Sequence, residues 1–196
     1  MNSFSVIVNG FDLESEVQNR KLEYVPYDAS AGSTNGVVSI DIECDSLDPI
    51  DSVARVDEDL KSIGVTIVRI DLDLVNLPDI AERADSTRET VRLWSIGARR
   101  SNFPAPFTVA GASKLWAWVD VYDWLIENRL NINEFYSCAP LPLFVVEAFN
   151  GAFAQKRNAT NEGWISPARP SEAIRFSQNA PLLKRSGWAL AGRALV

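Results

Sequence analysis

Arg88 and Arg92 stand four residues apart in "DSTRETVRLW" (85–94), with Ser86 and Thr87 just before them and Thr90 between. On a helix, residues three and four apart are neighbours. Arg88 then pairs in space with Arg92, and Thr87 with Thr90. A guanidinium can read a guanine edge through two parallel hydrogen bonds, and a threonine can bond a phosphate or touch a thymine methyl. The same spacing leaves Val91 and Trp94 for an apolar face. The pattern suits a short helix lying in the major groove of duplex DNA. It suits equally a solvated amphipathic helix in a small helical domain. Glu89 would oppose phosphates unless it pairs with an arginine or accepts from a cytosine amine.

The flanks favour the first fit. Arg99 and Arg100 follow the helix directly, and Ser113 and Lys114 come soon after. Arginine and lysine there would hold phosphates, fixing register and carrying the salt dependence of binding. Ser113 and Lys114 would reach the adjacent groove. The chain as a whole is acidic, with a net charge of -7. That charge is unevenly spread. Residues 1–75 hold 5 Lys or Arg against 15 Asp or Glu, whereas residues 129–196 hold 8 against 4. Within 83–114, Arg83, Arg88, Arg92, Arg99, Arg100 and Lys114 face only Asp85 and Glu89. Exposed charges act over a Debye length of about 8–10 Å, so a ligand meets the local field rather than the average.

These residues need elements to position them. "NLPDIAERADSTRETVRLWSIG" (76–97) predicts two short helices joined by a tight turn. Asn76 caps the first, with Pro78 in its first turn. Asp85-Ser86 turns the chain, Ser86 or Thr87 caps the second helix, and Gly97 stops it. Ile80, Ala81, Ala84, Val91 and Trp94 face inward. "FPAPF" (103–107) is extended, and "TVAGASKLWAW" (108–118) has the length and turn chemistry of a β-hairpin. Trp116 and Trp118 alternate on its second arm, so packing on the helices is expected rather than stacking on bases. Val121, Trp124 and Leu125 then mark an amphipathic helix over 119–129.

Ahead of this region the pattern is different. Strands are expected at 4–10, 37–44 and 65–75, and helices at 12–24 (capped by Asp12) and 48–64. "ASAGSTNG" (29–36) reads as a loop, with a short extra strand near Tyr24–Tyr27. The fold class is α+β: a small ferredoxin-like unit over 1–75, a winged helix-turn-helix over 76–129, and a mainly helical or irregular region over 130–196. "LPLFVVEAFNGAFAQKR" (141–157) predicts a helix too apolar to hang free, packed on this chain or on a partner. Residues 158–196 predict short helices and loops, or a segment ordered by a partner.

"LVNLPDIAERADSTRETVRLWSIGARRSNFPAP" followed by "LWAWVDVYDWL" resembles the winged helix-turn-helix domain of actinobacterial DNA-binding proteins related to the MerR and excisionase type. The resemblance covers about residues 74–128 and departs at "GARRSN", where such proteins often carry a glycine-rich basic loop. It implies double-stranded DNA as partner, with Thr87, Arg88, Thr90 and Arg92 on the reading helix and Arg99, Arg100 and Lys114 beside it. One such unit has a small footprint, so a homodimer is expected.

Other chemistry has less behind it. The chain contains no histidine, which removes Ser-His-Asp and Cys-His catalysis and histidine metal sites. Cys44 and Cys138 form no CxxC pair, and no EF-hand loop is visible. The acidic runs 41–51 and 57–60, and the Asp71–Asp73 alternation, are expected to be solvated acids rather than a metal or catalytic site. The expectation is a non-enzymatic protein without cofactor, signal peptide or membrane span, in the cytoplasm, acting as a transcriptional regulator such as a repressor. The alternative is an antitoxin or immunity-type factor that engages a protein partner through residues 1–75 or 130–196 and regulates itself through DNA.

Overall fold

The computed structural model describes residues 1–45 and 48–160 of the chain. The first half builds an antiparallel sheet with helices on one face. In chain order come β1 (Asn2–Asn9), α1 (Glu16–Glu23), β2 (Asp28–Thr34), β3 (Val37–Cys44), α2 (Pro49–Ser62) and β4 (Thr66–Ile70). The strands lie in the order β2-β3-β1-β4. Val6 sits opposite Ile40 on one side and Ile70 on the other. Alternation decides what is buried. Phe4, Val6 and Val8 join Ile40, Ile42, Ile67 and Ile70 in one core, closed by Leu22 of α1 and by Val53, Val56 and Leu60 of α2. Ser3, Ser5, Asp41 and Glu43 take the opposite, open face.

Three readings of this half are corrected. Residues 29–34 are strand, not loop; only Asn35-Gly36 turns, both with positive φ (53° and 79°), as a two-residue hairpin loop demands. The small polar residues of β2 suit an edge strand whose outer face meets water. The helix expected from Asp12 begins at Glu16 with Ser15 as its cap, because Asp12 Oδ1 instead accepts from the Glu14 N–H at 3.0 Å in a turn before it. The strand expected over 65–75 is two strands: β4 ends at Ile70, and β5 (Leu74–Val75) belongs to a second sheet.

The second half continues with α3 (Leu77–Arg83), α4 (Arg88–Ser95), β6 (Thr108–Ala110), β7 (Ser113–Ala117) and α5 (Trp118–Glu127). Asn76 caps α3 in a reciprocal box with Asp79. The second sheet runs β5-β7-β6, and β6 and β7 form a hairpin about Gly111-Ala112. Val75, Ile80, Val91, Trp94, Trp116, Trp118, Val121, Trp124 and Leu125 make a second core. Both Trp116 and Trp118 are buried there, although Trp118 begins α5 rather than ending the strand.

A 3-10 turn (Glu134–Tyr136) and β8 (Ala139–Pro140), parallel to β1, lead to α6 (Leu143–Thr160). α6 packs on its own chain: Val145, Val146 and Phe153 enter the first core. Asn150 bonds both backbone groups of Ile70, accepting at 2.7 Å and donating at 3.0 Å, and Arg157 donates to the Val68 carbonyl. These side chains occupy the edge of β4 that no strand among the described residues covers. No helix among the described residues is long and apolar enough to cross a membrane. The reading of residues 158–196 falls, from residue 161 onward, outside those described.

Candidate functional site

The turn between α3 and α4 is fixed by backbone geometry. Asp85 adopts a left-handed conformation (φ 45°), and the Ser86 N–H reaches back to the Ala81 carbonyl at 2.8 Å, closing α3. Thr87 is the cap of α4: its Oγ1 accepts from the Thr90 N–H at 3.2 Å and lies 2.9 Å from the Thr90 hydroxyl. Its hydroxyl therefore serves the helix first. At the far end, Gly97 (φ 69°) ends α4, with the Ala98 N–H bonded to the Leu93 carbonyl at 3.0 Å. Val91 and Trp94 pin α4 to the core, while Leu93 is half-buried.

The expected site residues divide into three places. Arg88 and Arg92 share one exposed side of α4. Arg92 is already engaged there, its Nε and Nη2 donating to the two Glu89 oxygens at 2.8 and 2.7 Å. Arg92's hydrogen bond holds the Glu89 carboxyl below its usual range. Thr90 lies elsewhere. At about 100° per residue it sits some 160° around the helix from Arg88. It joins Ser86, Arg99 and Arg100 around a cavity of about 300 Å³, whose wall also holds Trp94 and Arg129. Ser113 and Lys114 are exposed on the β6–β7 hairpin, opposite Ala110 and Val109. The helix thus presents two flanks rather than a single one bearing all four of Thr87, Arg88, Thr90 and Arg92.

Charge compensation differs across the region. Arg83, which the composition counts with the basic patch, is consumed internally. It pairs with Asp73 (Nη2 to Oδ1 3.0 Å) and stacks 4.9 Å from the Trp118 ring and 4.8 Å from that of Tyr136. By contrast, Arg88, Arg99, Arg100, Arg129 and Lys114 have no carboxylate partner at ion-pairing distance among the described residues. Arg129 was not singled out in the sequence. Its signal is faint: it follows α5 where a helix stop favours glycine.

The acidic runs are dispersed into local roles. Asp48 caps α2, Asp57 meets Lys61 and Lys156, and Asp71 pairs with Arg69 at 3.1 Å. Asp71 and Asp73 each have their own arginine and do not act as a pair. Both line a larger cavity of about 560 Å³ between the first sheet and α5, where Arg83, Trp118 and Tyr136 form part of the wall.

No family model matches the chain, and neither the curated proteins nor the solved structures gave a match.

Proposed function

We propose that the protein is a sequence-specific DNA-binding protein, acting as a transcriptional regulator, in which α3 and α4 form a helix-turn-helix and the β6–β7 hairpin is its wing. The observation that carries this reading is the set of uncompensated cations around α4. A chain with a net charge of -7 leaves Arg88, Arg99 and Arg100, on and just after a short helix anchored by Val91 and Trp94, and Lys114 on the β6–β7 hairpin, without acidic partners among the described residues. Surfaces that are only solvated have no reason to segregate charge this way; a polyanion rewards it. The order β-α-β-β-α-β with strands β2-β3-β1-β4 supports the ferredoxin-like reading of the first half.

In this reading Arg88 reads a base edge, Arg92 does so on exchanging Glu89 for DNA, and Arg99, Arg100 and Lys114 hold phosphates. Two copies give a footprint large enough for useful specificity. α6 spends its apolar side on its own sheet, so the dimer contact lies elsewhere than on Val145, Val146 and Phe153. The test is a gel shift with duplexes from the upstream region of the chain's own gene. The Arg88→Ala/Arg92→Ala double variant should lose preference for the specific duplex over a scrambled one. Equal preference in wild type and double variant would remove α4 as the reading element.

A second reading, an antitoxin or immunity-type factor, draws on the open face of the first sheet, where Asp28 sits opposite Glu43 and Ser30 opposite Asp41. That acidic face would engage a basic protein partner, with DNA binding kept for autoregulation.

A further inference from the structure

We infer that the cavity between the α3–α4 turn and the end of α5 is a phosphate pocket, and that Arg129 is one of its ligands. Its walls bring Arg99, Arg100 and Arg129 together with the Ser86 and Thr90 side chains; Asp85 stands at the same wall, leaving an excess of two positive charges. None of the three guanidinium groups has a carboxylate partner among the described residues. Trp94, which also lines the cavity, is only 4% exposed, and its indole N–H has no hydrogen-bond acceptor among the described residues. A buried donor without an acceptor is costly, and a ligand oxygen would satisfy it. The size suits a small group with its waters, since about 300 Å³ lies at the lower end of ligand pockets.

The backbone adds an independent reason. Arg100 (φ 71°) and Arg129 (φ 53°) both hold the left-handed conformation that favours glycine. Arg129 ends α5 in it, with the Leu130 N–H bonded to the Leu125 carbonyl at 2.9 Å. Two positions where glycine would relax the chain carry arginine instead, which points to a use for the side chain; that of Arg100 also donates to the Asn128 carbonyl at 3.4 Å, beside Arg129. The inference rests on the proposed DNA reading in one respect: the phosphate is taken to be a backbone phosphodiester beside the groove that α4 enters. Thr90 and Ser86 would then serve the backbone while Arg88, on the opposite flank, serves the bases.

The test uses the full chain labelled with ¹⁵N, titrated with inorganic phosphate at constant ionic strength, and reads the Trp94 indole resonance, assigned by its loss in Trp94→Phe. Wild type should show a saturable shift. Arg129→Gly should lose it while its Tm is no lower than that of wild type, a combination that a purely structural arginine would not produce. A resonance that does not move, or that moves equally in Arg129→Gly, overturns the pocket. On duplex DNA, Arg129→Gly should flatten the slope of log K against log salt by about one; an unchanged slope overturns its contact with the duplex while leaving DNA binding itself intact. Saturable phosphate uptake by a wild-type chain that binds no duplex supports the pocket and overturns the DNA reading instead.

Discussion

Replacing Asn150 by leucine should weaken the whole first core, and the size of the loss follows from two hydrogen bonds. Ile70 lies at the end of β4 with its backbone N–H and C=O on the side away from β1, where no strand among the described residues continues the sheet. Its N–H donates to Asn150 Oδ1 at 2.7 Å, and its carbonyl accepts from Asn150 Nδ2 at 3.0 Å. The amide thus acts as one rung of a missing strand. Leucine fills similar space but leaves both backbone groups unpaired under α6. Each buried, unpaired group costs about 1–3 kcal/mol, and leucine recovers part of this by packing, so the net loss should be about 2–4 kcal/mol. At about 2–4 °C per kcal/mol for a chain of this length, Tm should fall by roughly 5–15 °C. Thermal unfolding followed by circular dichroism measures it. Hydrogen exchange at the Ile70 amide gives the local readout and should accelerate well beyond its neighbours. A Tm within 2 °C of wild type, as a rough error band for such melts, with unchanged Ile70 protection would refute the idea that α6 closes this edge.

Gly10 has a positive φ (85°), and a Cβ there would lie 2.9 Å from the Gly64 carbonyl oxygen, so Gly10→Ala should cost more than the ~1 kcal/mol of the backbone conformation alone, read by urea unfolding. Cys138 has its thiol pushed up by burial and then by Glu43, whose Oε2 lies 3.7 Å away. Less thiolate is present at any given pH, so Glu43→Gln should move the pH profile of Cys138 alkylation to lower pH and speed the reaction near pH 8 (about the ordinary thiol range). Glu89→Gln removes a negative charge from the exposed side of α4 and releases the Arg92 fork. Duplex affinity should rise and its salt dependence steepen; affinity equal to wild type would show that this side of α4 does not face DNA.

The parts of the fold legible in the sequence are those where one residue type has one physical use. Val91 and Trp94 at a spacing of three gave the buried side of α4, Asn76 with Pro78 the start of α3, and Gly97 its partner helix's end. β2 was illegible because an edge strand of small polar residues has little apolar alternation; only Ala29 and Ala31 turn toward the core. The break between β4 and β5 was hidden for the opposite reason: period-two alternation runs on through Asp71 and Asp73 while the chain changes sheets. In the site, spacing put Arg88 beside Arg92 and Thr87 beside Thr90, and the same helical period already separates Arg88 from Thr90 by some 160°; what the structure adds is the cavity that Thr90 shares with Arg99 and Arg100. The Glu89–Arg92 fork was one of the options left open by the sequence, and the structure selects it in the free chain. Arg129 stayed invisible because its approach to Arg99 and Arg100 depends on the packing of α5 against α4.

The central claim is that α4 reads DNA sequence, and selection from a pool of random duplexes tests it most directly. The full-length wild type should enrich one motif, palindromic if two copies bind, and Arg88→Ala should enrich a version degenerate at one base pair of each half-site. Enrichment of no motif by the wild type, or the same motif at the same stringency from Arg88→Ala, would contradict it.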